Sequence, residues 1–134
     1  MSSKSAQAWL FVFIYAGFIF FLSSLSKPLG DLTNLSFFQS LQKFHTDKFF
    51  HIVEYTVLGA LLIRAVMESK FSESYVKLAL LAFVIGVLYG YSDEWHQRFV
   101  PGRQYDLTDW LADAIGIAFG IYLHLKKRMS KRYA

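Results

Sequence analysis

The residues able to do chemistry in this chain concentrate in one stretch, Ser92-Asp93-Glu94-Trp95-His96-Gln97-Arg98-Phe99-Val100-Pro101-Gly102-Arg103, continued by Gln104-Tyr105-Asp106-Leu107-Thr108-Asp109. A second set, Asp47, Lys48, His51, Glu54 and Tyr55, lies some forty residues earlier, and Asp113 follows one turn after Asp109. Three kinds of chemistry suit these types. Arg103 offers a planar fork for phosphate or carboxylate, with Lys48, His51 and His96 as further donors and the acidic residues to orient those cations. A carboxylate–histidine pair drawn from His51, Glu54, Asp93 and Glu94 could act as general base. Asp47, His51, Asp93, Glu94 and His96 could hold a divalent cation, the one cofactor the composition suggests. None of these spacings is diagnostic. His51-x-x-Glu54 is not the paired-histidine zinc motif, and in Glu94-Trp95-His96 the two polar side chains leave a helix in different directions. No Gly-rich phosphate loop and no Ser–His–Asp arrangement is suggested, and the absence of cysteine excludes thiolate sites and disulfides.

The elements that must carry these residues are apolar. Of 134 residues 54% are hydrophobic and only 18% charged, against about 25% charged in soluble domains. Residues 8–25 carry no charge over nearly the ~20 residues that cross a hydrocarbon core. Ser24-Leu25-Ser26 after them also admits a cleavable signal peptide. Further spans are expected at about 47–67, with Thr46 as N-cap, at 75–92, and at 107–125. The last is interrupted by Asp109 and Asp113 and needs shielding by its neighbours; Ala112, Gly116 and Gly120 provide a smooth face for that. Lys27-Pro28-Leu29-Gly30 breaks the first helix, and Leu35, Phe37, Phe38, Leu41 and Phe44 then predict a short amphipathic helix at 35–45, lying in the interface. The expected fold is all-α: one domain over 1–134, a transmembrane four-helix bundle with an interfacial helix between helices 1 and 2.

The net charge of +4 comes from a tail, Lys126, Lys127, Arg128, Lys131 and Arg132, directly after an apolar segment. Its position is that of a membrane topology signal rather than a nucleic-acid patch, and it puts both termini in the cytoplasm. Counting helices back, the ends that carry Asp47, His51, Glu54, Asp93, Glu94, His96, Arg103, Asp109 and Asp113 all face outward. An ionised group at a helix centre costs on the order of 2.5–3.5 kcal/mol by insertion scales. Groups one to two turns inside their helices, such as Glu54 about 10 Å below Asp47, should therefore face the bundle interior. The reading is a polar pocket at the outer leaflet; a purely structural hydrogen-bond network is the competing one.

Asp47-Lys48-Phe49-Phe50-His51-Ile52-Val53-Glu54-Tyr55, then Asp93-Glu94-Trp95-His96-Gln97-Arg98-Phe99-Val100-Pro101-Gly102-Arg103, then Asp109 and Gly116, resembles the VanZ-like family. The likeness runs from about Trp9 to Leu123, with Phe20-Phe21-Leu22-Ser23-Ser24 matching that family's first-helix ending. The resemblance implies a small multi-pass protein of the bacterial cytoplasmic membrane, in a family named for a protein that raises teicoplanin resistance. Many relatives carry Asn where this chain has Asp113, which would then have to be protonated or paired, with Arg103 as a candidate.

Three functions fit these residues. The first is recognition of a cell-envelope lipid or lipid-linked precursor through Asp47, Lys48, His51, Glu54, Tyr55, Asp93, Glu94, His96, Gln97, Arg103, Asp109 and Asp113. The second is a metal-dependent hydrolase or transferase within the membrane. The third is an accessory subunit that meets another copy or a membrane partner through Gly116 and Gly120.

Overall fold

The computed structural model describes residues 2–25, 46–71, 74–101, 103 and 105–133, with the side chains of 46, 47, 132 and 133 outside the description. Among them are four helices and no strand: α1 (Ser3–Ser23), α2 (Thr46–Glu68), α3 (Tyr75–Gln97) and α4 (Leu107–Tyr133). The expected interfacial helix at 35–45 lies outside the described residues; Thr46, expected as N-cap, is the first residue of α2, and its side chain lies outside the description.

Three boundaries differ from expectation by five residues or more, the first being that α1 begins at Ser3 rather than residue 8, with Ser2 as its cap. α3 does not stop at residue 92; it continues through Asp93 and Glu94 to Gln97. The polar block is therefore the last turn of a helix before it is a connection. That turn persists because Asp93, Glu94 and Gln97 are all buried, with partners on neighbouring segments, until the chain reaches Pro101. α4 likewise runs past Leu125 through the basic tail, where Lys, Arg and Met are good helix formers and cations suit the C-terminal end of the helix dipole. Local caps fix the other ends. Ser2 Oγ accepts from Ser5 N–H, Ser74 Oγ accepts from Lys77 N–H, and Asp106 Oδ1 accepts from Thr108 N–H at 2.8 Å.

Among the described residues, three helices are long and apolar enough to cross a membrane: Ser3–Ser23, Lys48–Glu68 and Tyr75–Gln97. α4 has the length, but Asp109, Asp113 and the basic tail make it less apolar. Its polar side is hidden instead. α2 lies at the centre and touches all three others, while α1 and α4 do not meet among the described residues. The core is built mainly on α2, where Tyr55, Leu58, Leu62, Ile63 and Val66 are buried against Val12 and Ile19 of α1, Leu78 and Ala82 of α3, and Ile117 and Ile121 of α4.

The α2–α4 seam is a backbone contact. A Cβ at Gly116 or Gly120 would strike the Ile52 or Thr56 carbonyl, and one at Gly59 would strike Ile117 O. The small-residue face read from the sequence is thus occupied by α2 within this chain. α1 is tied in along its length: Trp9 Nε1 donates to Ser69 Oγ, Tyr15 Oη to Glu54 O, and Tyr89 Oη to Ala16 O. The outward faces are apolar, with Leu10, Phe13, Ile14, Phe21, Leu80, Val84, Leu88 and Ile115 all exposed. Such a belt is what lipid contact requires.

Candidate functional site

The polar residues gather where the N-terminal ends of α2 and α4 meet the C-terminal ends of α1 and α3, in two adjoining groups. In the first, His51 projects from α2 toward α4, and its Nδ1 lies 2.8 Å from Asp113 Oδ1. Both are buried, Asp113 completely. Asp113 is accommodated because Gly90 on α3 has no side chain: a Cβ there would press on Asp113 and on the Tyr55 ring. The Tyr55 ring stacks beside His51 with centroids 6.4 Å apart. The partner proposed for Asp113 from the sequence, Arg103, is not the one it takes. The imidazole is nearer, because α2 and α4 are in backbone contact at Gly116.

One turn toward the end of the bundle, Lys48 Nζ donates to Asp109 Oδ1 at 2.7 Å, to Asp106 Oδ2 at 3.3 Å and to Thr108 Oγ1. Glu94 arrives from α3. Its Oε2 accepts from Asp106 N–H at 3.2 Å, and its side chain is fully buried. The α4 N-terminus is therefore bound to α2 through Lys48 and to α3 through Glu94. Asp106 sits outside the membrane-spanning helices, and the two hydrogen bonds from Thr108, aided by Lys48, hold its carboxyl below the usual carboxylate range.

The second group faces α1. Ser23 Oγ donates to Asp93 Oδ1 at 2.6 Å, and Gln97 Nε2 donates to Asp93 Oδ2 at 3.3 Å. Arg103 donates from Nη1 to Gln97 Oε1 at 3.2 Å and from Nε to Leu25 O at 3.4 Å, reaching a carbonyl just past the end of α1. His96 turns the same way: its Nε2 lies 3.2 Å from Ser24 Oγ and its ring 4.4 Å from that of Phe20. His96 and His51 thus belong to different groups. Glu54 is half-buried between them, within electrostatic reach of His51, Asp93, Asp113 and Arg103. The Asp47 side chain lies outside the described ones.

Of the residues predicted from the sequence, Lys48, His51, Tyr55, Glu94, Asp109 and Asp113 form one group, and Asp93, Gln97, Arg103 and His96 the other. Reasoning from the sequence missed Ser23, which binds Asp93, and Asp106 and Thr108, which hold Lys48. Asp106-Leu107-Thr108-Asp109 carries a readable signal, an Asp N-cap with an acid three residues on. Ser23 is marked only as part of Phe20–Ser24, the first-helix ending that resembles the family's, and not as a partner of Asp93.

Three buried atoms have no hydrogen-bond partner among the described residues: Tyr55 Oη, Glu94 Oε1 and Asp113 Oδ2. Ligand atoms of His51, Glu94 and Asp109 lie within 4.8 Å of one another. The apolar groove between α3 and α4, of about 350 Å³ and lined by Tyr75, Ala79, Phe83, Ala118, Ile121 and Leu125, is at the far end of these helices.

No curated protein and no solved structure was found to match the chain. A family model described as VanZ/LLP1 matches residues 5–128, a range that contains all four helices to within a few residues and every member of both polar groups. With the match spanning nearly the whole chain, and three of its helices apolar enough to cross a membrane, the chain belongs to the VanZ/LLP1 family.

Proposed function

We propose that the protein is a four-helix membrane protein of a bacterial cytoplasmic membrane that holds the anionic headgroup of a cell-envelope lipid, or lipid-linked precursor, at the outer face. Arg103 carries this reading. Its guanidinium has five N–H donors; two are used, both on neutral acceptors, and no carboxylate forms an ion pair with it among the described residues. Lys48, by contrast, is already held by two carboxylates. Among the described residues Arg103 is therefore a cation with donors to spare for a phosphate or carboxylate bound in bidentate fashion. Hydroxyls or amines of the same headgroup would meet Glu54, half-buried between the two polar groups. Withholding or altering such a precursor is how a protein of this kind would influence susceptibility to teicoplanin-type glycopeptides.

The test uses the full chain in nanodiscs with a polyprenyl phosphate as probe. The parent protein should bind it, and Arg103→Ala should weaken binding tenfold or more. Arg103→Lys should fall between, because an ammonium supplies charge without the fork. Equal binding by parent and Arg103→Ala would remove the basis of the proposal. A second reading, hydrolysis or transfer on the same lipid, draws support from the His51–Asp113 pair, a carboxylate-oriented imidazole of the kind a general base needs. Consumption of the probe in the same preparation distinguishes it from binding alone.

A further inference from the structure

The buried charges of the first polar group do not balance. Glu94, Asp109 and Asp113 are 0%, 8% and 0% exposed, and they converge from α3 and α4 on the imidazole of His51. Lys48 is the one cation bonded to this set among the described residues, and it shares its charge with Asp106 at the surface. Buried carboxylates without compensating charge or hydrogen bonds are costly. Two oxygens here, Glu94 Oε1 and Asp113 Oδ2, are buried with no hydrogen-bond partner among the described residues.

We infer that this group is a divalent metal site, with His51, Glu94 and Asp109 as ligands and Asp113 as the residue that orients the imidazole. Their ligand atoms lie within 4.8 Å of one another. Atoms bound to one ion at about 2.0–2.2 Å are at most roughly 4.4 Å apart, so small side-chain rotations close the site. Asp113 on Nδ1 is the arrangement in which a carboxylate accepts the second N–H of a metal-bound histidine. With Nδ1–H donating, the ring's other nitrogen carries the lone pair. One nitrogen and two carboxylates favour Zn²⁺ or Mn²⁺ over Mg²⁺ or Ca²⁺, which prefer all-oxygen shells. A divalent ion would cancel the two charges that Lys48 leaves, and Glu94 Oε1 would gain a partner. This set differs from the one suggested by sequence spacing. Asp93 is engaged by Ser23 and Gln97, and His96 lies beside Ser24. The inference does not rest on the lipid reading, which concerns Arg103.

The experiment takes full-length protein in detergent, strips it with chelator and equilibrates it with Zn²⁺ or Mn²⁺ alone. Bound metal per chain and the unfolding temperature are then measured. About one ion per chain, a higher unfolding temperature with the ion, and at least tenfold weaker binding by Glu94→Gln are expected. Asp113→Asn, which keeps the shape but weakens the grip on His51, should cost roughly 10–100-fold in affinity. It serves as the second variant should Glu94→Gln not fold. Glu68→Gln, at the other end of α2, should bind as the parent does. Substoichiometric metal, equal binding by Glu94→Gln, or an equal loss in Glu68→Gln would each overturn the assignment.

Discussion

Asp106 accepts the N–H and the hydroxyl of Thr108, its second carboxylate oxygen meets Lys48, and its own N–H is taken by Glu94. One residue therefore caps α4 and ties that helix to both α2 and α3. Losing the cap in Asp106→Ala should cost about 1 kcal/mol at neutral pH. Because the folded carboxyl sits below its ordinary value, its contribution is complete above about pH 4, where the unfolded chain also ionises. It is lost as pH falls through the lower, folded value. Thermal unfolding of parent and variant should accordingly differ at pH 7 and converge in acid; a difference that grew on acidification would contradict the role. Glu54 is a different case. It stands between the two polar groups, half-buried, and its carboxylate makes no hydrogen bond among the described residues, so it is the acid best placed to answer a ligand.

At the level of elements, the glycines of the α2–α4 seam decide how near the site residues come. Within lipid, apolar side chains gain little from leaving their surroundings, so helices associate through close packing. Gly116 and Gly120 let α4 lie on the α2 backbone, and that approach brings Asp113 within 2.8 Å of His51 two turns away. A side chain at Gly120 must push the Thr56 carbonyl aside. Gly120→Leu should destabilise the folded protein by roughly 1–3 kcal/mol, the usual range for overpacking. It should also weaken metal binding at the His51 end. Reversible unfolding in mixed micelles reads the first effect, and an unchanged midpoint would show that the seam is not closed in solution.

For the whole molecule, the arrangement matters because both polar groups lie at one end, while the basic stretch from Lys126 lies at the other. If that stretch is cytoplasmic, both groups open to the outside. The chain contains no cysteine, so single substitutions give an unambiguous test. Tyr105→Cys, exposed in the α3–α4 connection, should react with a membrane-impermeant maleimide on intact cells. Lys131→Cys, exposed near the end of α4, should react only after permeabilisation. The reverse pattern would put the site on the cytoplasmic face and end the envelope-lipid proposal.

Much of this was decided by local composition. Hydropathy marks the apolar segments because the length needed to cross a bilayer is a property of a stretch, not of its neighbours. Helical periodicity is likewise local: it aligns Asp109, Asp113, Gly116 and Gly120 on one face and Asp47, His51 and Glu54 on one stripe of the second helix. What periodicity does not contain is which face meets which. That Asp113 takes His51 rather than Arg103, that Asp93 is held by Ser23 some seventy residues earlier, and that His96 turns to α1 while its neighbour Glu94 at i−2 turns to α4 all depend on how the other three helices are arranged around α2. The persistence of α3 through Asp93–Gln97 has the same origin. Read alone, that run of polar residues looks like a connection; held against α1 and α4, its side chains have partners, and the helix continues. The sequence by itself determined the apolar segments and the polar residues they carry, while only the tertiary structure, through the glycine seam that lays α4 on α2, decided that Asp113 is buried against His51.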